Sequence, residues 1–280
     1  MGGVAFKVDA GRKLIVDPFE HSAIHSRENA RFKRIRSLHA SRGVKKHGQT
    51  LVAGRRLVAE FLRERPADVE AVVVSSAADA GVPETGSGVT KLPCLTFVPE
   101  LFRELDFLGA GSPLLVVRVP EIPTWPAAAP HGESGSDSQG LTGLTVFLPL
   151  SDPENLGAAI RSCAAFGADR IVLLKEAAHP FHPRALRAAA GQTWRTSLLN
   201  GPALHELNAG SLPLFALDMH GDDLNNFTPP PNFGVLVGEE GSGVPEQLRF
   251  SRLRIPMRAG VESLNAGVAL GIVLYHLRRI

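Results

Sequence analysis

Cysteine is scarce in this chain. Only Cys94 and Cys163 are present, and neither belongs to a C-x-x-C pair. That argues against a disulfide framework and against a cysteine-built zinc site, and two unpaired thiols fit a reducing compartment. Long apolar runs are missing as well. Nothing approaches the roughly 18 consecutive apolar residues of a membrane-spanning helix, so no membrane partner is expected. The stretch from Met1 to Pro18 contains Lys7, Asp9, Arg12, Lys13 and Asp17, so it lacks the unbroken hydrophobic segment of a secretory signal. A cytoplasmic location is the resulting expectation. There is no internal repeat, no P-loop and no G-x-G-x-x-G, which disfavours nucleoside triphosphate chemistry and a nucleotide-dependent dehydrogenase.

What is present suits an ordinary globular protein: 44% apolar and 21% charged residues, enough to bury a real core. At roughly 150 residues per domain, the length suits about two domains. The net charge of +2 conceals an asymmetry. From Arg27 to Arg65 twelve Lys or Arg face three acids, a net of +9, leaving about −7 for the rest. A cationic block in an otherwise mildly acidic chain points to a polyanion. It can equally be a solvated, arginine-rich helical face.

The pattern divides the chain into four parts. Residues 1–26 read as an extension. Residues 27–120 read as a small α/β domain. It has a basic helix around Glu28 to Ala40, an amphipathic helix marked by Leu57, Val58, Phe61 and Leu62, and another near Phe97 to Leu105. Its strands are expected at Ala71–Val74 and Leu114–Val119. Residues 121–142 are rich in Pro, Gly and Ser and read as a flexible linker. From residue 143 to 280 apolar runs alternate with helical ones. Strands are expected at Thr145–Leu150, Arg170–Leu174, Leu214–Leu217 and Phe233–Val237, and helices at 153–166, 183–190 and 263–278. Such alternation predicts a mostly parallel sheet covered on both faces, with ligands beyond the strands' carboxyl ends.

Three loops at those ends carry chemistry. In the first, Asp152 suits an N-cap, Pro153 the first helical position and Gly167 a left-handed C-cap. Leu156, Ile160 and Cys163 mark the buried stripe. Arg161 lies about 140° around the helix from Leu156, off the core face. Taken alone, Arg161 reads as a surface arginine and Asn155 as a cap-region residue. The second loop follows Gly234-Val-Leu-Val and contains Gly238, Glu239, Glu240, Gly241 and Gly243. Glycine allows close approach of a ligand to the backbone, and two carboxylates suit a cationic sulfonium or ammonium better than a phosphate. A plain tight turn is the other reading. The third runs from Leu253 through Ile255-Pro-Met into a helix with Ser263 as the expected N-cap and Arg278 and Arg279 in the last turn. That helix is apolar nearly all round, which predicts burial on several sides, by a partner subunit or within one chain. His179 and His182 do not make a convincing metal pair, and no metal is expected.

In their order and spacing these motifs resemble the SpoU (TrmH-type) family of SPOUT RNA methyltransferases, over roughly residues 143–280. The resemblance rests on Asn155-x5-Arg161 with Phe166-Gly167, on Leu236-Val-Gly-x-Glu240-Gly241, and on Ile255-Pro-Met followed by Ser263-Leu264-Asn265. Pro183-x3-Leu-Arg187-x3-Gly191 adds to it. Gly267 departs from the serine usual in the family. The resemblance implies a trefoil-knot domain and an obligate homodimer. It implies S-adenosylmethionine (SAM) held near Leu217, Gly238, Ile255 and Leu264, and a catalytic group of Arg161, Asn155, Glu240, Ser263 and Asn265. It implies transfer to a ribose 2′-hydroxyl, with large-subunit ribosomal RNA the expected substrate and transfer RNA the alternative. The basic first domain would bind RNA, with Arg31, Arg34, Lys45 and Arg55 among its contacts. Competing readings are a SPOUT enzyme acting on a base nitrogen and a catalytically silent RNA-binding protein of the same fold.

Overall fold

The computed structural model describes residues 5–8, 12–15, 23–76, 92–126, 143–208, 210, 212–245, 247–261 and 263–277. It divides into two compact units, residues 1–120 with 181–187, and residues 121–180 with 188–280.

The first unit opens with an antiparallel hairpin of β1 (Ala5–Val8) and β2 (Arg12–Ile15), inside the expected extension. Ile24 then lies beside β5 (Cys94–Phe97): its amide donates to the Thr96 carbonyl and its carbonyl accepts from the Val98 amide. The basic helix expected around Glu28 to Ala40 is α1 (Ala30–Ser37), and a second helix, α2 (Ser41–His47), follows it beyond the expected stretch. Asn29 caps α1 by accepting from the Arg31 and Phe32 amides. The turn between the two helices has a steric mark: a Cβ on Gly43 would lie 1.9 Å from the Ser37 carbonyl oxygen, so only glycine lets α2 turn back this closely. The unit continues with β3 (Gln49–Val52), α3 (Arg55–Glu64), β4 (Val69–Ser75), α4 (Pro99–Leu105) and β6 (Leu114–Arg118).

Its four-stranded sheet has the order β3-β6-β4-β5, with β6 antiparallel to both neighbours and β5 parallel to β4. Strands β3 and β5 carry no clear alternation and are additions to the sequence reading. Phe32, Ile35 and Leu38 pack with Leu101, Phe102 and Leu105 on the face formed by Leu51, Ala71, Val73, Leu114 and Val116. The alternate residues Val52, Val72, Leu115 and Val117 are buried too, as are Val58, Phe61 and Leu62 of α3. Both faces of the sheet are therefore dry, which is why its strands read as continuous apolar runs. The buried Thr50 hydroxyl donates to the Phe181 carbonyl.

The second unit contains β7 (Gly143–Leu148), α5 (Pro153–Phe166), β8 (Arg170–Leu173), β9 (Leu198–Asn200), β10 (Leu214–Asp223), β11 (Asn232–Leu236), β12 (Ser251–Arg254) and the closing helix. The short helix α6 (Pro183–Ala188) falls mostly in the segment grouped with the first unit. The sheet order is β12-β10-β11-β7-β8-β9 and every pairing is parallel. The expected linker begins later than its composition suggests. Asn200 donates its amide to the Pro123 carbonyl, the Trp125 amide donates to the Asn200 carbonyl, and Trp125 is buried with its ring edge-on to Phe147. A large aromatic side chain with a place in the core outweighs a proline-rich context. The remainder of that expected linker, residues 127–142, lies outside the described residues.

The closing helix, α7, runs Ala266–Leu277 rather than from 263, and Arg278 and Arg279 lie outside the described residues. Its cap is Asn265, not Ser263: the Asn265 side-chain oxygen accepts from the Gly267 and Val268 amides. Gly267, Leu270, Val273, Leu274 and Leu277 are buried. Val268, Ile272 and Tyr275 instead form an exposed stripe at i, i+4, i+7, at 53%, 40% and 54% exposure. Within one chain the helix is covered on only part of its circumference.

Candidate active site

Strand order determines where the site lies. The chain places β7, β8 and β9 successively to one side, then crosses to β10 and β12 and inserts β11 between β10 and β7. The β7–β11 pair is thus a topological switch point, the place in an open parallel sheet where ligands bind beyond the carboxyl ends of the strands. The loop after β7 enters α5, and the loop after β11 is the glycine loop. The Val237 amide donates to the Phe147 carbonyl and fixes the two exits side by side.

Helix α5 begins as its residues dictate. The Asp152 carboxylate accepts from the Asn155 amide, Pro153 occupies the first turn, and Gly167 ends the helix at φ 76°, ψ 36°. Leu156, Ile160 and Cys163 are fully buried, and burial pushes the Cys163 thiol far up, so it is inert at neutral pH. Asn155 is left in the first turn with its side chain aimed at the neighbouring loops. Its amide nitrogen donates to Glu240, whose other carboxylate oxygen accepts from Ser151 at 3.5 Å. Its oxygen accepts from the Asn265 amide group at 3.0 Å. Asn265 therefore does two jobs, capping α7 and joining Asn155, and one chain of hydrogen bonds ties all three loops together. Room for it depends on Gly267, whose missing Cβ would sit 3.3 Å from the Asn265 side-chain oxygen and 3.8 Å from Ala158. The departure from serine at this position accompanies close packing of α5 on α7.

The glycine loop is a tight reversal. Glu239 and Gly243 exchange amide–carbonyl hydrogen bonds of 2.9 and 3.0 Å, and the Ser242 hydroxyl donates to Glu239. A Cβ on Gly238 would lie 2.9 Å from the Gly243 carbonyl carbon, so the two glycines are packed backbone to backbone. Gly241 and Gly243 take φ of 92° and 70°, a region that favours glycine, although a Cβ on either would meet no neighbour. Leu217, Gly238 and Ile255 lie at or just beyond the carboxyl ends of the regular parts of β10, β11 and β12, which are neighbours in the sheet. Leu264 is exposed immediately before the Asn265 cap. Backbone, glycine and two carboxylates suit a cationic ligand, and the open ground around Gly241 leaves space for one.

Two expected members stand apart. Arg161 is exposed on α5 and, among the described residues, makes no hydrogen bond or ion pair. Six residues from Asn155, it is rotated about 120° away from it. Ser263 is likewise exposed and joins neither the cap nor the network. Ser151 is an addition; its position at the strand exit is the only signal in the sequence. Among the described residues no cluster of His, Cys, Asp and Glu could hold a metal ion. No described helix is long and apolar enough to cross a membrane.

In the first unit, Arg31, Arg34, Lys45 and Arg55 are all exposed. Arg34 donates to the Gln49 side chain. Arg27 and Arg36 pair with Glu104, and Lys33 with Glu28. Arg31, Arg42, Lys45, Lys46, Arg55 and Arg56 have no ion pair among the described residues. Arg55 and Arg56 open α3, where the helix dipole disfavours cations.

Residues 144–275 match the model of the SpoU rRNA methylase family. The chain is 41% identical over 253 residues to the ribosomal RNA small subunit methyltransferase G 2 of Syntrophobacter fumaroxidans, a match covering 90% of this chain but only 48% of that protein. The chain therefore spans about half the length of that relative. It is 28% identical over 267 residues to the 23S rRNA (guanosine(2553)-2′-O)-methyltransferase RlmP of Bacillus subtilis, covering 91% of this chain and 98% of the other. In fold it is similar to the SpoU methyltransferase AviRb of Streptomyces viridochromogenes, solved with AdoMet. That match has a TM-score of 0.69 and 21% identity, and covers 89% of this chain and 97% of the other.

Proposed function

Because the chain belongs to the SpoU rRNA methylase family, we propose that it methylates RNA at a ribose 2′-hydroxyl with SAM as donor, ribosomal RNA being the substrate class. The observation that carries the reading is the hydrogen-bonded chain Glu240–Asn155–Asn265, which joins the three loops at the switch point. The similarity to RlmP, whose name specifies a 2′-O-methylation on 23S rRNA, favours the ribose and the ribosome.

SAM supplies an electrophilic methyl on a sulfonium. Leu217, Gly238, Ile255 and Leu264 would hold it, and the carboxylates of Glu239 and Glu240 complement its positive charge. In the transfer the sulfur–carbon bond would break to leave the neutral thioether, an oxygen–carbon bond would form, and the 2′-hydroxyl proton would pass to solvent water. Arg161 is the expected partner of the developing alkoxide and of a flanking phosphate. A guanidinium does not give up its proton in proteins, so Arg161 acts as a fixed cation and not as the base. Asn155, Glu240 and Asn265 hold the loops that align donor and ribose, and Ser263 belongs to the same entrance. Among the described residues Arg161 meets no partner. In this reading a second copy docks on the Val268–Ile272–Tyr275 stripe and completes the site, and the family's knot encloses the donor loops.

Calorimetry on the purified protein tests donor uptake, with SAM or its demethylated product S-adenosylhomocysteine (SAH) as titrant. Digestion of the product RNA to nucleosides, with the methyl located by mass spectrometry, tests the ribose. Uptake and a 2′-O-methyl nucleoside are expected. A methyl on a base nitrogen overturns the ribose assignment, and absence of uptake overturns the donor assignment.

A further inference from the structure

Strand β10 departs from its neighbour in a way the sequence does not announce. Leu217 and Asp222 both pair with Leu253 of β12, so residues 218–221 loop out of the ladder between them. The loop is pinned at two points. A Cβ on Gly221 would lie 2.4 Å from the Arg252 carbonyl carbon, so backbone meets backbone there and only glycine fits. The Asp218 carboxylate accepts from the His220 amide at 2.8 Å and from the Arg252 guanidinium. The other guanidinium nitrogen of Arg252 reaches the Pro245 carbonyl at 3.5 Å. The Asp218 and Arg252 side chains are only 16% and 24% exposed, so the pair is little screened by water. Burial opposes ionisation of Asp218, but the His220 amide and the Arg252 guanidinium outweigh it and keep the carboxyl below its ordinary range.

The positions of the three groups matter more than the strength of the pair. Asp218 directly follows Leu217. Pro245 ends the turn that starts at Gly238. Arg252 stands three residues before Ile255. Arg252, itself on the strand that leads to Ile255, therefore binds the side chain that follows Leu217 and a carbonyl seven residues after Gly238, and so links the three segments assigned above to the donor. None of the three contacting residues belongs to the motifs that carry the family resemblance.

We propose that Asp218 and Arg252 are positioning residues for the methyl donor: their ion pair, with the Pro245 carbonyl as third point, sets the spacing of the Leu217, Gly238 and Ile255 segments and so sets donor affinity. The inference rests on the donor reading above. A pair that only stabilised the fold would change the unfolding temperature and leave the affinity of the folded protein untouched.

The test is SAH titration of the full chain by calorimetry, well below the unfolding temperature, for the wild type, Arg252→Ala, Arg252→Lys, Asp218→Asn and the double variant Asp218→Asn/Arg252→Ala. Arg252→Ala is expected to raise the SAH Kd about tenfold or more, with the donor KM rising in parallel and kcat at saturating donor within about twofold. Arg252→Lys keeps the charge and is expected to restore most of the affinity. The double variant is expected to be no weaker than the worse single one, because both remove one interaction. If Arg252→Ala does not fold, Arg252→Lys and Asp218→Asn decide through the same Kd. An Arg252→Ala or Asp218→Asn variant that binds SAH like a binding-competent wild type overturns this inference alone, as does a fall in kcat with Kd unchanged. A wild type that takes up no SAH overturns the donor reading and this inference with it.

Discussion

The two units use their residues in opposite ways. In the second, a few side chains brought from far apart in sequence meet at one end of a parallel sheet: Asn155 from α5, Glu240 from the glycine loop and Asn265 from the start of α7. Function there depends on geometry, so single substitutions should have large and specific effects. In the first, six cations spread over α1, α2 and the start of α3 carry no ion pair among the described residues, and no hydrogen-bonded constellation joins them. If this unit meets RNA, as the charge pattern predicts, it does so through a field summed over many charges, so each residue should count for little and several together for much. The comparison sets a diffuse array of cations against a site built by placement.

The largest expected effect tests the second unit. Arg161→Ala should lower turnover by about 10²–10³-fold or more. SAM affinity should stay within about tenfold, roughly 1.4 kcal/mol. Single-turnover methylation and calorimetry measure the two, and a collapse of SAM binding would assign Arg161 to the donor and not to the ribose.

The next effect tests the first unit. Replacing Arg42, Lys45 and Lys46 together by Ala should weaken RNA binding by about 10- to 100-fold at physiological salt. It should also flatten the dependence of log K on log salt by about 2, since each lost phosphate contact removes about 0.7 on a single strand. SAH affinity should not move. If one of the three single variants alone reproduces the loss, recognition in this unit is as localised as catalysis, and the contrast fails.

A smaller effect concerns the hinge of the network. Asn265→Ala removes the α7 cap and should cost about 1 kcal/mol of stability in denaturant unfolding. It also frees Asn155, so turnover should fall by more than that loss explains. Asp152→Ala removes only the α5 cap, should cost a similar amount, and serves as the control for it.

The smallest effect is a pH dependence confined to the first unit. Burial lowers the pKa of His39, more than the Leu105 carbonyl raises it, and Arg36 and Arg184 lower it further. The folded unit therefore takes up that proton later than the unfolded chain does. Stability is independent of this group above its ordinary value of 6.5 and falls as pH drops below it. Asp218 in the second unit has the carboxylate version: its contribution is present above the ordinary 3.8 and lost only as pH falls below that. Hydrogen exchange between pH 7 and 5 should therefore show amides around His39 losing protection first, and His39→Gln should remove the difference.

Legibility in the sequence followed the range of the interactions. The α5 region could be read almost residue by residue, because Asp152, Pro153 and Gly167 act on their own backbone within a turn. Strand β7 and the core positions of α5 were equally plain. Strands β3, β5, β9 and β12 were not, since three- and four-residue strands carry too few alternations to stand out and are held by neighbours distant in sequence. Helix α2 was missed because it is only seven residues long, and the close return that requires glycine at Gly43 is against a carbonyl six residues earlier. The cap of α7 was assigned to Ser263 because serine at a helix start is a common signal, while Asn265 can also bridge to Asn155 and gains a second partner there.

Local chemistry and period sufficed for the charge asymmetry, the parallel α/β character of residues 143–280 and the glycine turn, while the family resemblance named the polar residues at the strand exits. Those properties depend on each residue and its near neighbours, so they survive without coordinates. Only the folded arrangement decided that β11 inserts beside β7, that Glu240, Asn155 and Asn265 share one hydrogen-bonded chain, that Arg161 stands outside it, and that Arg252 of β12 joins Asp218 of β10 and the Pro245 carbonyl. These depend on strand order and register, which are decided by the burial of the whole sheet and not by any one segment.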